Sequence, residues 1–378
     1  MATTDRDWAG PKDSLHDASL FITRVLVQQQ QYYCLQFLDH FRILDAVPLS
    51  PGSAPYATVA ARTGVPEARL KAVARMVMTI GFLAEAPDGS SLKHSALSSN
   101  FVENEHMRIQ LRHLVEKTVP LMGAFTRATE LWGDTKAPNQ TAYNLAFDTE
   151  LPFFEHLKAR KDLSDEFDSY MKSQAVAHSG ARVDHVLRGF DWATLKAEAV
   201  VVDVGGGAGA AAKTLAMAHP GLRIVVQDLA GPIQNAREQL ALLPREVTGR
   251  ISLQQHDMFD EQPVLGADVY FLRTILHDWP DAECVRILQR LVAAMKPESR
   301  IVIMDMVLPA PGAGSSLFEA ALRQKDLAMT QTFNAREREA SEWESLIAAV
   351  DERVAIRGIR RPEGSQHSVI EVGFHKRI

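Results

Sequence analysis

Apolar residues in the first part of the chain recur three and four positions apart. From Thr23 to about Arg75 they predict helices, with Cys34, Phe37, Leu38, Phe41 and Leu44 on one face of one segment. Tyr56 to Ile80 reads as a short helix, a turn at Thr63-Gly64-Val65-Pro66, and a helix whose stripe is Leu70, Val73, Ala74, Val77 and Met78. The stretch GFLAEAPDGSSLKHSALS then predicts a hairpin turning at Asp88-Gly89, which gives the order of a winged helix. Residues 101–195 predict further helices carrying Trp132, Phe147, Phe153, Phe154 and Met171, side chains that ordinarily fill a core.

At Ala197 the pattern changes. Short apolar runs, AVVVDV, LRIVVQD, ADVYFLRTI, RIVIMDMVL and HSVIEVGF, alternate with helical segments. Continuous β-branched runs of this kind predict a parallel sheet covered on both faces. The expected fold class is α/β, a doubly wound Rossmann-like sheet behind a mainly α-helical winged-helix domain. The expected boundaries are 1–105 for the winged-helix domain, 106–195 for a helical linker that binds substrate, and 196–378 for the catalytic sheet domain.

Composition narrows the class. A chain of 378 residues exceeds the usual size of one core, so two domains are expected, and 46% hydrophobic with 23% charged residues predicts order nearly throughout. The formal net charge of -6 argues against a general binder of polyanions. A winged helix raises the possibility of DNA binding, but residues 51–100 hold only five basic residues against three acidic ones, with no basic stripe. Packing against a second copy fits its apolar surplus better, so no nucleic acid is expected as a partner. Cys34 and Cys284 sit in apolar helical patterns, as buried thiols of a reducing compartment do. MATTDRDWAGPKD has no apolar run and no stretch has the length of a membrane span, so a soluble cytoplasmic protein is expected. No metal-ligand spacing occurs, and no metal is expected.

The chemistry gathers at strand ends. The first sheet strand runs through Asp203 into Gly205-Gly206-Gly207-Ala208-Gly209 and a helix, where glycines let the backbone turn tightly and approach a ligand. This loop alone does not choose a cofactor, because Gly205, Gly207 and Ala210 also satisfy a dinucleotide fingerprint with Asp228 about twenty residues on. Asp228, followed by Leu229, ends the second strand and could accept from ribose hydroxyls or cap the next helix. Asp257-Met258-Phe259 ends the third; an acid there can accept from an exocyclic amine while Met and Phe cover a ring, or it can be an ordinary cap. The fourth strand ends in Arg273-Thr274-Ile275-Leu276-His277-Asp278-Trp279-Pro280-Asp281, at the sheet edge where such folds hold ligands. Asp278 suits an N-cap and Pro280 an early helical position, whereas His277 at this edge reads as functional.

Together DVGGGAG, VQDL, HDMF and LRTILHDWPD resemble the fungal and plant small-molecule O-methyltransferases, from about Gln29 to the C-terminus. These enzymes join a class I S-adenosylmethionine-binding fold to an N-terminal winged-helix dimerisation domain. The resemblance implies S-adenosylmethionine as cofactor, S-adenosylhomocysteine as product, and a homodimer. It assigns Gly205, Gly207 and Asp228 to the cofactor, Asp228 to its ribose, Asp257 and Met258 to adenine, and Arg273 to the position of a plant Lys. It makes His277 the general base, with Asp305 and Glu337 as flanking acids. Asp at 305 is one methylene shorter than the usual Glu, and the plant asparagine that touches substrate has no counterpart in TQTFNA. A phenol has a pKa of about 10 and histidine one of about 6.5, so a neutral imidazole at pH 7 is expected to take the hydroxyl proton. The acceptor expected is a hydroxylated aromatic or polyketide, with Met122, Phe125, Trp132, Met171, Met329 and Phe333 as candidate pocket residues. A nicotinamide dehydrogenase leaves the HDW string unexplained. Relatives that use the cofactor for dehydration or pericyclic reactions tend to lose the histidine that is present here.

Overall fold

Helical periodicity near the N-terminus becomes α1 (Leu15–His40), which ends where Arg42 adopts a left-handed φ of 52°. Phe41 and Leu44, expected on the same helix face, therefore lie beyond its end, and Leu44 is buried from a separate turn at Ile43–Ala46. The computed structural model describes residues 15–177, 179–313 and 316–375, so the MATTDRDWAGPKD segment lies outside the described residues. The chain divides into two compact units, residues 1–123 with 157–177, and residues 124–156 with 178–378. The expected 106–195 segment is not a unit in this division, because its helices are shared between the two.

In the first unit α2 (Tyr56–Thr63) and α3 (Glu67–Met78) are joined through Gly64 at φ 71°, a left-handed position that glycine occupies without strain. Leu83–Glu85 and Ser91–His94 pair antiparallel as a hairpin around Asp88-Gly89, and Ala54–Pro55 adds a third strand. Leu38, Ile43, Val59, Leu70, Ala74, Val77 and Leu92 form the core. Each large aliphatic side chain so buried contributes about 1.5–3 kcal/mol. His94 is a satisfied core histidine, its ring nitrogens meeting Ser98 Oγ at 2.9 Å and the Leu44 carbonyl at 3.1 Å.

The second unit is built on seven strands: β1 (Ala199–Val204), β2 (Leu222–Asp228), β3 (Ile251–Gln255), β4 (Val269–Arg273), β5 (Arg300–Asp305), β6 (Val354–Arg360) and β7 (Ser368–Phe374). Their order is β6-β7-β5-β4-β1-β2-β3. The first five are mutually parallel, as the apolar runs predict; β7 enters antiparallel to β5, and β6 antiparallel to β7. HSVIEVGF is thus a strand but not a parallel one. One face of the sheet packs on α6 (Asp281–Ala294) and α8 (Ala340–Val350) through Ile287, Leu288, Leu291, Trp343 and Ile347. The other packs on α4 (Ala210–Ala218) and α5 (Ala230–Leu240) through Ala212, Leu215, Ala216 and Ile233. Burial on both faces is what the continuous β-branched runs require. α7 (Ser316–Phe333) completes the unit. No helix among the described residues is long and apolar enough to cross a membrane, and no cluster of metal-ligating side chains occurs among them. Both cysteines are free and buried.

Candidate functional site

The loop after β1 turns through Gly205, Gly207 and Gly209, all with positive φ. A Cβ on Gly205 would stand 2.5 Å from Ile275 Cδ1 and one on Gly206 2.7 Å from Asp203 Oδ2, whereas one on Gly207 would meet nothing within 4 Å. The loop is thus pressed against the sheet on its inner side and bare on its outer side at Gly207. Asp228 closes the same edge: its Oδ2 accepts from Gly207 N at 2.8 Å and its Oδ1 from Leu229 N at 2.7 Å, while its carbonyl accepts from His256 N at 2.9 Å. It does not cap α5, whose N-cap, Leu229, provides no side-chain bond and leaves its own side chain exposed. Asp257 accepts from Phe259 N at 3.0 Å, a turn-capping bond, and remains exposed. Met258 is half-buried against the core. The Phe259 ring meets Trp279 edge-on at 4.8 Å and the Arg286 guanidinium at 5.1 Å, so these groups occupy the ring expected to cover a ligand.

Beneath the loop Asp203 is buried and its Oδ2 has no hydrogen-bond partner. Burial raises its pKa to about 7; Arg273 opposes the shift and Asp228 adds to it. Arg273, at the end of β4, donates to the Ala181 carbonyl at 2.7 Å and keeps Nε unpartnered. Its guanidinium faces Asp203 and Asp305 electrostatically.

His277 follows β4 on a short turn, Leu276–Asp278, entered through Thr274 at φ 54°. Its Nδ1 lies 2.8 Å from Glu337 Oε1, and its Nε2 lies 3.5 Å from Asp278 Oδ1. Asp278 therefore faces the histidine instead of capping α6, whose N-cap is Pro280. Asp305 does not hydrogen-bond His277 either. Its shorter side chain accepts from Leu276 N at 3.1 Å through Oδ2 and leaves Oδ1 unpartnered, so it fixes the backbone of the turn. Burial raises the Asp305 carboxyl to about 7 and that of Asp278 to about 6, and in both His277 opposes the rise. For His277 burial acts downward, but Glu337, Asp278 and Asp305 outweigh it and lift the pKa from 6.5 to about 10. The expected neutral imidazole at pH 7 is therefore corrected: without ligands this ring holds its proton.

Two groups that sequence reasoning passed over complete the support. Arg338, fully buried, donates to the Leu276 carbonyl at 3.1 Å and the Trp279 carbonyl at 2.9 Å, bracketing His277, and to Asp281 Oδ1 at 2.9 and 2.8 Å. Asp326 on α7 accepts from Glu337 N at 3.0 Å. The adjacency of Arg338 to Glu337 was the available signal, since an Arg that reaches a buried turn sits beside the acid serving that turn.

The aromatic candidates divide. Met122 and Met171 belong to the first unit and are 40% and 42% exposed. Phe125, Trp132, Met329 and Phe333 belong to the second unit and are half-buried, so none of the six joins the buried core. Phe333 stacks with Phe154 at 5.5 Å and Phe154 with Trp279 at 6.1 Å, and Trp279 stands two residues after the histidine. This wall beside a carboxylate-held imidazole can seat a flat apolar molecule while a proton is taken from it.

The chain is similar to known proteins. Residues 133–350 match the O-methyltransferase domain family. The chain is 52% identical to the O-methyltransferase fsr2 of Gibberella fujikuroi over 360 residues, covering 95% of this chain and 92% of that one. It is 40% identical to the O-methyltransferase pgmB of Aspergillus terreus over 353 residues, covering 93% and 98%. Among solved structures, OxaC in complex with S-adenosylhomocysteine and oxaline superposes with a TM-score of 0.76 at 23% identity, over 95% of this chain and 88% of that one. Family match, fungal relatives and fold coincide, and the chain belongs to the O-methyltransferase family.

Proposed function

We propose that this O-methyltransferase methylates a hydroxyl, phenolic in character, of an aromatic or polyketide-type small molecule, with His277 as general base. The observation that carries the reading is the 2.8 Å contact of His277 Nδ1 with Glu337, set beside the Trp279–Phe154–Phe333 wall at the ligand edge of the sheet. S-adenosylmethionine supplies, when bound, an electrophilic methyl group on a sulfonium. The residues present fit it: a glycine loop bare at Gly207, a carboxylate at Asp228 within reach of that loop, and an unpartnered buried oxygen on Asp203. Gly205, Gly207, Asp228, Leu229, Asp257, Met258 and Arg273 are the groups that would hold it, Asp228 accepting from ribose hydroxyls and Asp257 from the adenine amine.

His277 Nε2 takes the proton of the acceptor hydroxyl as the oxygen becomes nucleophilic. Glu337 holds Nδ1 and stabilises the imidazolium that forms, the orienting role also expected of an acid behind a catalytic histidine. Asp305 and Arg338 keep the turn from drifting, through its backbone. An imidazole whose conjugate acid has a pKa of about 10 is matched to a phenol, so the transfer is nearly thermoneutral. The first unit is read as the dimerisation domain of a cytoplasmic homodimer, supported by Leu20, Phe21, Ile22 and Leu26 exposed on α1. Light scattering at micromolar concentration checks this, and a monomer refutes it.

Calorimetric titration with S-adenosylmethionine, S-adenosylhomocysteine and NAD tests the cofactor, with binding of the first two and not of NAD expected. His277→Ala should keep S-adenosylhomocysteine affinity within about threefold and lower turnover on phenols by about 10²-fold or more. Unchanged turnover removes His277 as base.

A further inference from the structure

α7 packs against the turn that carries His277, and its Asp326 fixes Glu337 through the backbone. In steps of four along the same strip of α7 stand Lys325, Met329 and Phe333. Phe333 is the outer member of the aromatic wall that reaches Trp279. The strip therefore carries an ammonium at one end and a stacking surface at the other.

Lys325 is half-buried and forms no hydrogen bond and no ion pair among the described residues. Among the described residues its Nζ is not one of the buried polar atoms without a partner, so the half-buried ammonium stays within reach of solvent or of an incoming anion. The acid that it faces electrostatically is Glu337, whose Oε1 is engaged with His277 and whose Oε2 is buried without a hydrogen bond. Burial pulls the pKa of Lys325 down and Glu337 pulls it up. Among the described residues no other acid acts on the charge, and it lies on the face of α7 that also carries Phe333.

We propose that Lys325 anchors the acceptor, and that the enzyme selects hydroxylated aromatics carrying an anionic oxygen near the hydroxyl to be methylated: a carboxylate, or an ionised phenol conjugated to a carbonyl. The proposal rests on the methyltransferase reading above and names the substrate class of that site. The flat body of such a molecule lies along Phe154, Phe333 and Trp279, and its anionic oxygen meets the Lys325 ammonium.

Fluorescence titration of the protein saturated with S-adenosylhomocysteine provides the test, with three probes: ortho-hydroxynaphthoate, lawsone (a hydroxynaphthoquinone ionised at neutral pH) and neutral β-naphthol. At least one anion is expected to bind about tenfold or more tightly than β-naphthol, and which one does so tells carboxylate from acidic phenol. In Lys325→Met the preference falls to within about threefold; in Lys325→Arg most of it survives; in both, S-adenosylhomocysteine affinity is unchanged, showing an intact fold. Equal binding of the probes by the wild type, no binding of either anion, or a preference that survives Lys325→Met overturns the anchor. Loss of the anchor with S-adenosylhomocysteine still bound leaves the methyltransferase reading standing. A wild type that does not bind S-adenosylhomocysteine removes both.

Discussion

The replacement Glu337→Gln separates charge from shape at the base. In the protein without ligands His277 has a pKa of about 10, and the 2.8 Å contact with Glu337 is its shortest to any of the three carboxylates. At pH 7, three units below that value, about one imidazole in a thousand is neutral. The proton must leave before the ring can accept another, so kcat/KM of the wild type should climb about tenfold per pH unit from 7 towards 9 and level near 10. The glutamine keeps the size of the side chain and an acceptor oxygen but removes the nearest negative charge. The histidine then titrates at lower pH, with Asp278 and Asp305 still raising it, and the profile should level off at lower pH than that of the wild type. Its plateau should lie about 10²-fold below that of the wild type, because the imidazolium formed during the reaction has lost its counter-charge. Radiolabelled methyl transfer to one phenol between pH 6 and 10 measures both profiles, and using one acceptor cancels its own ionisation. A wild-type profile that is flat above pH 7, or the same inflection in both proteins, refutes the reasoning. NMR titration of labelled histidine gives the same answer without turnover.

Other perturbations probe the frame. Asp228→Ala removes the acceptor that holds Gly207 and should weaken S-adenosylhomocysteine binding by about 10²-fold by calorimetry, with little change in fold. Arg338→Met strips the donors from the Leu276 and Trp279 carbonyls and should cost about 3 kcal/mol in denaturant unfolding, with kcat falling more than KM changes. Gly205→Ala asks for a methyl 2.5 Å from Ile275 Cδ1 at a φ of 68°; a loss of about 1–3 kcal/mol and weaker cofactor binding are expected, and an unchanged melting curve would show that the loop gives way. Asp203 and Asp305 bind protons more tightly folded than unfolded, with pKa near 7 against 3.8, so their contribution is present at low pH and is lost as pH rises through about 7. The melting temperature should accordingly drop between pH 5 and 8, and less so in Asp203→Asn.

The parts of this protein that a reader can find in the sequence are those with a local cause. A β-branched run buried on both faces has to be consecutive, so β1, β2 and β4 are visible as such; β6, VAIRGIR, lies at the sheet edge with an exposed arginine in its middle, and no run marks it. The break in α1 at Arg42 is not encoded by Gly or Pro, and the helical period simply continues across it to Phe41 and Leu44. Strand ends announce the site because the chain must turn there: the glycines, Asp228 and His277 all stand at such ends. What their side chains meet is set by residues far along the chain. Nothing near Asp278 tells that it will turn to His277 and leave the helix N-terminus to Pro280, and the loss of a methylene at Asp305 does not by itself tell that the carboxylate will settle on Leu276 N. The protonation of His277 was missed for the same reason. Its own residue type gives a pKa near 6.5, and only the convergence of Glu337, Asp278 and Asp305, separated from it by as much as 60 residues, carries the ring to the basic side of neutrality.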